Sequence, residues 1–369
     1  MLNVQKPFLD KDELKNVGDV LDSCWLGMGK QVKEFEDEVK KYLGVKYFIA
    51  VNTGTSAIHL ALEALDLKDG DEVIVPSLTF AGSIQPILYL RAKPVFCDVD
   101  YNTLNIDIKD VENKITKRTK AVLPVHYSGQ PVDMDRLLKS GKKHGFKIVE
   151  DAAHAFGSFY KGKKIGSLGD MTCFSFDQIK NVTCGEGGCI ATNNSKWAKK
   201  IILMRLLGID KETLVRYKNK RSWLYNIKSI GFRYHMSNIN AAIGLAQMKK
   251  MEKTISRKKH MVNEYDKAFA NMKEIDIVNK NYDEIAPFNY IIKVKKNRNR
   301  LIDFLKEKGI DTGIHYIPNH IQSFFRKFRV KLPVTEKLYK EILTLPLYYG
   351  MSDKDVLHVI NSVKEFFKK

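Results

Sequence analysis

Tyr47–Leu65 reads YFIAVNTGTSAIHLALEAL, and its two halves follow different periodicities. Tyr47–Val51 is a short aromatic and β-branched run, the composition of a buried strand. After the turn Asn52-Thr53-Gly54-Thr55-Ser56, residues Ala57, Leu60, Ala61, Ala64 and Leu65 recur at the spacing of one helix face. A strand passing through a glycine turn into a helix is the repeating unit of α/β architecture. Further β-rich runs occur at Glu72–Pro76, Pro94–Asp98, Ala121–His126, Lys147–Asp151, Met171–Phe176 and Gly188–Thr192. Helical patterns separate most of them, Asp133–His144 being another candidate. The order predicts an α/β fold with a mostly parallel seven-stranded sheet between helices.

From about Met248 the pattern changes. A long lysine-rich helical stretch that includes Ala242–Lys258 leads through Arg257–Lys259 and Tyr265 into a region around Asn279–Pro287, and a smaller α+β unit follows. That unit is expected to contain a strand at Phe288–Val294 and helices near Arg300–Lys308 and Asp353–Phe367. A boundary inside the lysine-rich helix divides the chain into a large domain, 1–248, and a small C-terminal domain, 249–369. The N-terminal segment is expected to pack on the small domain.

Composition narrows the class. The 369 residues carry 62 Lys+Arg against 43 Asp+Glu, a net charge of +19, with 44% hydrophobic and 28% charged residues. That is globular composition, not disorder or a fibrous repeat. The longest mostly apolar stretch, Ser77–Leu90, is broken by Thr79, Ser83, Gln85 and Pro86, which excludes it as a membrane span. Five cysteines without a CxxC pair suit a reducing compartment, and no apolar leader-like segment opens the chain, so a cytoplasmic protein is expected. The nine histidines are scattered and show no ligand spacing, so no metal is expected. The basic surplus clusters only modestly, at Lys161–Lys164, Arg257–Lys259 and Lys293–Arg300. No zinc finger, RNP-like motif or basic tail accompanies it. It reads as a solvated surface, part of which could attract an anionic small molecule; a nucleic-acid partner is not expected.

Four stretches could carry chemistry at the ends of predicted elements, where open α/β sheets hold ligands. Asn52–Ser56 could bind a phosphate at a helix N-terminus, or could simply cap the helix. Ile148–His154 (IVEDAAH) ends a strand in two carboxylates followed by small residues, leaving Asp151 room to project. Phe174–Asn181 (FSFDQIKN) puts Lys180 after a buried strand and before the glycine loop Gly185–Gly188; an isolated lysine there is usually surface charge. Phe80 is either core or a ring-stacking aromatic. Taken together, the four match the needs of pyridoxal 5′-phosphate: an amine for a Schiff base, a carboxylate for the pyridine nitrogen, a phosphate anchor and a flat apolar contact. Lys180, Asp151, Thr55 with Ser56 and Ser175, and Phe80 fill those roles.

With these residues the sequence resembles the DegT/StrS-type sugar-nucleotide aminotransferases, pyridoxal-phosphate enzymes of fold type I. The resemblance runs nearly end to end. Its landmarks are Trp25-Leu26-Gly27-Met28-Gly29 with Phe35-Glu36, Asn52–Leu60, Gly70–Pro76, Glu150–Ala155, Gly166–Asp170, FSFDQIKN, CGEGG and Gly313–Tyr316.

The resemblance implies a role for each matching position. Lys180 would be the internal aldimine lysine and proton carrier, and Asp151 the partner of the pyridine nitrogen. His154 would contact the cofactor near its 3′-oxygen. Gly54, Thr55, Ser56 and Ser175 would hold the phosphate, and Phe80 would stack on the ring. Members are typically homodimers, and Gly231–Asn238 resembles the segment that completes the neighbouring site; there Arg233 either reaches the partner's phosphate, as the family's Asn commonly does, or loses that contact. Two positions depart from the family pattern: Arg233 stands where Asn is frequent, and Asp177 where His is frequent. Relatives that remove a hydroxyl carry His in place of the lysine, and this chain keeps the lysine.

Trp25, Met28, Asp177 and Glu186 are the candidate substrate contacts in the large domain. His315, Tyr316 and His320 could contact sugar or diphosphate, or could be ordinary loop residues. The implied activity is ping-pong transfer of an amino group from L-glutamate to a nucleotide-linked keto-deoxysugar, as in lipopolysaccharide or O-antigen amino-sugar biosynthesis. The loop Thr183–Gly188 resembles relatives that act on 4-keto rather than 3-keto sugars. Rival readings are an aminotransferase of a non-nucleotide ketone and a non-catalytic regulatory protein on the same fold.

Overall fold

The computed structural model describes residues 1–210, 225–278 and 280–368. Two helices precede the first strand: α1 (Lys11–Asp22), opened by an Asp10/Glu13 capping box, and α2 (Lys30–Leu43), closed by Gly44 in the left-handed conformation. Strand β1 (Tyr47–Val51) then runs into α3 (Gly54–Ala64). Next come β2 (Glu72–Pro76), α4 (Gln85–Tyr89), β3 (Lys93–Cys97), α5 (Ile108–Lys114), β4 (Thr119–Val122), α6 (Met134–His144) and β5 (Lys147–Asp151). A two-residue hairpin, β6 (Phe159–Tyr160) and β7 (Lys163–Lys164), precedes β8 (Met171–Ser175), β9 (Gly188–Thr192) and α7 (Ser195–Met204).

The seven strands of the main sheet lie in the order β1-β9-β8-β5-β4-β2-β3. The ladders joining β3, β2, β4, β5 and β8 are parallel, and β9 is antiparallel to both its neighbours. Side chains alternate across the sheet, as a period of two requires. Ile49, Val51, Met171, Cys173 and Ile190 enter the core beneath α3 and α7, while Phe48, Ala50, Phe174, Cys189 and Ala191 meet α2 on the other face. Two strands of the main sheet differ most from expectation. The third strand is shifted one residue toward the N-terminus, and the fourth stops at Val122. Pro124 has no N–H to continue a ladder; instead its carbonyl accepts the Asp151 N–H at 2.8 Å, and His126 N–H donates to the Asp151 carbonyl at 3.0 Å. The irregular end of one strand therefore fixes the backbone of Asp151 from two sides.

Helix α8 (Asn238–Phe269), capped by Ser237, contains the lysine-rich helical stretch read from sequence and extends four residues beyond it at each end. Its first half (Ala241, Met251) packs into the large core, and its second half (Met261, Val262, Tyr265, Phe269) into a separate one. That second core lies between the antiparallel sheet β10-β11-β12 (Ile275–Ile277, Tyr290–Val294, Ile342–Leu345) and helices α9 (Arg298–Glu307) and α11 (Asp353–Lys368). Helix α10 (Pro333–Glu341) precedes β12 and packs on β11. The N-terminus joins this unit: Leu2 N–H donates to the Gly309 carbonyl and Asp311 N–H to the Leu2 carbonyl, each at 2.8 Å. Among the described residues no helix is long and apolar enough to cross a membrane, and no group of three or more His, Cys, Asp or Glu is placed to hold a metal ion.

Candidate active site

A cavity of about 370 Å³ opens at the carboxyl ends of β5 and β8. Its floor is the start of α3, where Thr53 and Ser56 form a capping box that fixes the turn. Ser56 Oγ accepts the Thr53 N–H at 3.1 Å and donates to Asn52 Oδ1 at 2.8 Å. The Ser56 hydroxyl is therefore occupied by the cap, and the wall of the cavity is formed by Thr53, Gly54 and Thr55 instead. Ser175, at the end of β8, lies directly across. A Cβ on Gly54 would come within 2.9 Å of the Ser175 Cβ, so only glycine allows this approach.

Asp151 is buried at one wall. Ser83 Oγ donates to its Oδ2 at 2.6 Å and Ala153 N–H to its Oδ1 at 3.0 Å, while Thr79 and Ser83 share a further hydrogen bond at 2.7 Å. Burial raises the Asp151 pKa. Ser83, the Ala153 N–H and the charges of Lys180 and His126 act against that rise. A cationic N–H brought against the carboxylate would favour its ionised form further.

Lys180 follows the turn Asp177–Ile179, in which Ile179 N–H donates to Asp177 Oδ1 at 3.2 Å and Lys180 N–H to the Asp177 carbonyl at 3.0 Å. Its amine still opens onto the cavity, yet protein atoms surround it closely enough that desolvation lowers its pKa to about 8, against the opposing pull of Asp177 and Asp151. Lys180 Nζ lies 4.4 Å from the centroid of the Phe288 ring. Phe288 in turn stacks on His154, with ring centroids 4.1 Å apart and planes 9° from parallel. Burial, with the charges of Lys180, His315 and Lys280, holds His154 well below the usual histidine pKa, so its ring is neutral.

The smaller unit supplies the lid side. Tyr316 Oη lies 2.9 Å from His154 Nε2, and the Tyr316 ring centroid is 5.9 Å from that of Phe80. Phe80 is 61% exposed and lines the cavity, so its ring is open to a flat partner there. His315 Nδ1 bonds Thr344 Oγ1 at 2.9 Å, and burial brings its pKa down to about 4, with Lys180 adding to the effect. Glu186 also lines the cavity; burial raises its pKa, and the nearby Asp177 adds to the rise.

The cavity thus gathers Gly54, Thr55, Phe80, Asp151, His154, Ser175, Asp177, Lys180, Glu186, His315 and Tyr316. Five other candidates lie outside its lining. Besides Ser56, Met28 packs in the core and faces a separate cavity beside Arg205 and Leu206. Trp25 Nε1 donates to the Met28 carbonyl at 3.2 Å. His320 is buried between Ser77 Oγ (2.7 Å) and Glu336 (3.3 Å), so both its ring nitrogens serve packing. Arg233 is exposed on the segment that pairs with the end of β1. Sequence reasoning missed Ser83 and Phe288. For Ser83 the small polar run after Phe80 was a signal; for Phe288 there was none.

Pyridoxal phosphate fits this donor set. The glycine-lined α3 N-terminus with the Thr55 and Ser175 hydroxyls suits a phosphate, and a Cβ on Gly82 would come within 2.7 Å of Thr55 Oγ1 and 3.1 Å of the Phe80 ring. A buried carboxylate, an exposed aromatic face and a desolvated amine complete what the ring and its carbonyl need.

Known proteins carry the same architecture. The model of the DegT/DnrJ/EryC1/StrS aminotransferase family matches residues 7–364. The spore coat polysaccharide biosynthesis protein SpsC of Bacillus subtilis is 39% identical over 98% of this chain and 96% of its own. Spr1654 of Streptococcus pneumoniae, described as a sugar aminotransferase and solved in its PMP form, superposes with a TM-score of 0.93 at 30% identity, covering 99% of this chain and 98% of that one. Helicobacter pylori PseC, an aminotransferase of pseudoaminic acid biosynthesis, gives 0.93 at 28% identity over 100% and 99% of the two chains.

Proposed function

The chain belongs to the DegT/DnrJ/EryC1/StrS aminotransferase family, and from that premise we propose that it moves the amino group of L-glutamate onto a keto-deoxysugar carried by a nucleoside diphosphate, favouring 4-keto over 3-keto sugars. It is an aminotransferase that works with pyridoxal phosphate. The observation that carries the proposal is a desolvated lysine amine and a buried carboxylate lining one cavity, with a histidine–tyrosine bridge over it.

When bound, pyridoxal phosphate supplies a carbonyl that captures an amine and a ring that accepts the electron pair of a broken C–H bond. The protein's own residues would hold the cofactor and move the protons. The α3 N-terminus, Thr55 and Ser175 bind the phosphate, and Asp151 holds a proton on the ring nitrogen. Lys180 Nζ, neutral at mildly basic pH, takes the proton from the reacting carbon and returns it. Phe80 and Tyr316 cover the ring and exclude water. The same residues serve both halves of a ping-pong cycle, with glutamate exchanged for the keto-sugar between them. Carboxylates are good hydroxyl acceptors, so Asp177 and Glu186 are assigned to the sugar. Trp25 and Met28 are assigned to substrate only through an assembly larger than one chain.

The cation count supports a homodimer as part of the proposal. Among the described residues Lys180 is the one Lys or Arg lining the cavity, yet a phosphate, a diphosphate and a carboxylate must all be held. Arg233 of a second copy meets that need, and Tyr225, Ile227 and Ile230 (42, 69 and 84% exposed) give its segment an apolar surface to cover. The cofactor-binding domain is taken as 1–248 and the small domain as 249–369, in a cytoplasmic enzyme. SpsC's part in spore coat polysaccharide biosynthesis and PseC's in pseudoaminic acid biosynthesis support an amino-sugar product for a surface polysaccharide.

The test is spectroscopic first. Protein supplied with pyridoxal phosphate should show a visible band that bleaches on adding glutamate and returns with UDP-, GDP- or dTDP-linked 4-keto-sugars. Lys180→Ala should show neither band nor turnover. Return of the band with simple ketones but no nucleotide sugar overturns the substrate assignment, and turnover in Lys180→Ala overturns the mechanism.

A further inference from the structure

The basic triplet Arg257-Lys258-Lys259 lies on α8, and its members diverge. Arg257 pairs with Asp353 at 2.7 Å and Lys259 bonds the Asp283 carbonyl at 3.1 Å, both near the surface. Lys258 points inward and is 5% exposed. Its Nζ donates to Asn181 Oδ1 at 3.0 Å and to the Phe288 carbonyl at 3.5 Å, and among the described residues it forms no ion pair. A buried ammonium served only by neutral oxygens is unfavourable for stability. Both oxygens, however, belong to the immediate surroundings of Lys180. Asn181 is the next residue in the chain, and its Nδ2 donates to the Ala286 carbonyl at 3.3 Å. Phe288 presents its ring to Lys180 Nζ.

We propose that Lys258 is a positioning residue for Lys180: its ammonium ties Asn181 to Phe288 around the Lys180 side chain and, as a like charge, biases Lys180 toward its neutral amine. This rests on reading Lys180 as the amine that takes up pyridoxal phosphate. The other groups facing Lys180 are Asp177 and Asp151, which favour the ammonium, and His154 and His315, which burial keeps neutral. Lys258 therefore opposes the two carboxylates. Desolvation brings Lys258 itself down to about 8, and the charge of Lys180 contributes. Two ammonium groups that share Asn181 and Phe288 as neighbours disfavour each other, so removing one raises the proton affinity of the other.

The experiment follows the rate at which cofactor-free protein gains visible absorbance on adding pyridoxal phosphate, across pH 6 to 10. Lys258→Met should move the midpoint of that profile up by about one pH unit, while Lys258→Arg, which keeps the charge, should leave it at or below the wild-type value. Should the methionine variant not fold, Lys258→Gln offers Asn181 and Phe288 a neutral donor and carries the same comparison. Coincident midpoints in folded wild type and neutral variant overturn the proposal. A wild type that captures no cofactor at any pH overturns the reading of Lys180 instead.

Discussion

His154 Nε2 and the hydroxyl of Tyr316 lie 2.9 Å apart, a hydrogen bond between a loop of the large sheet and the smaller unit. The Ser128 N–H reaches His154 Nδ1 at 3.4 Å and can only donate. That assigns the ring proton to Nε2, so Tyr316 accepts it and keeps its own hydrogen for the cavity. Tyr316→Phe should therefore retain the fold and the cofactor but lower kcat about 100-fold, as loss of a positioned donor does. Steady-state kinetics beside a melting curve check it; wild-type kcat in the variant would remove Tyr316 from the chemistry.

Burial of Lys180 has a consequence for stability. Its pKa is about 8 in the folded protein and about 10.4 in an unfolded chain. Between those values the unfolded state binds more protons, so this group's contribution to stability rises with pH across the window and is at its least favourable below pH 8. In cofactor-free protein, Lys180→Met should melt higher than wild type at pH 7. The gap should close as the pH approaches about 10.4. A gap that stays constant with pH would show that the lysine is not buried as a charge.

A structural pair lies behind the reactive one. His126 Nε2 donates to Glu150 Oε2 at 2.8 Å, both side chains are fully buried, and Val132 N–H holds His126 Nδ1 at 3.1 Å. Glu150 Oε1 accepts from Thr172 Oγ1 at 2.6 Å and from Gly169 N–H at 2.8 Å. Glu150→Ala strips three donors, two of them fully buried, of their acceptor and should destabilise the fold by about 3–5 kcal/mol. Denaturant unfolding measures this. Because successive strand residues face opposite sides, any Glu150→Ala protein that remains folded should still take up pyridoxal phosphate through Asp151.

These sites differ in how far the sequence announces them. The strand–turn–helix unit at Tyr47–Leu65 and the strand ending at Asp151 are local, each with its composition and stop signals within a few residues. Helix α2 went unread although Val32, Phe35, Val39 and Leu43 are spaced for one helix face. The ends of β4 and the length of α8 depend on tertiary partners, the Asp151 backbone in one case and two separate cores in the other. Ser83 meets Asp151 across 68 positions of chain, and Phe288 reaches Lys180 from beyond α8. Neither pairing leaves a periodic trace. The Lys258 side chain was hidden for another reason: its neighbours Arg257 and Lys259 are charged and only half-buried, so the triplet reads as surface.

Arg233 is the remaining case, exposed in one chain and assigned to the cavity of another. If the assignment holds, damage to Lys180 and damage to Arg233 fall in different sites of a symmetric dimer. Lys180→Ala and Arg233→Ala homodimers should each be nearly inactive. Unfolded together and refolded as an equal mixture, half the dimers are hybrids, and each hybrid keeps one site with an intact lysine and an intact arginine from the other subunit. Activity should therefore recover to about one quarter of wild type. Were Arg233 to serve its own chain's cavity, every site in the hybrid would lack one group and the mixture would stay inactive. A dead mixture whose hybrids are verified by native mass spectrometry would thus put the arginine in cis, whereas recovery places it across the interface.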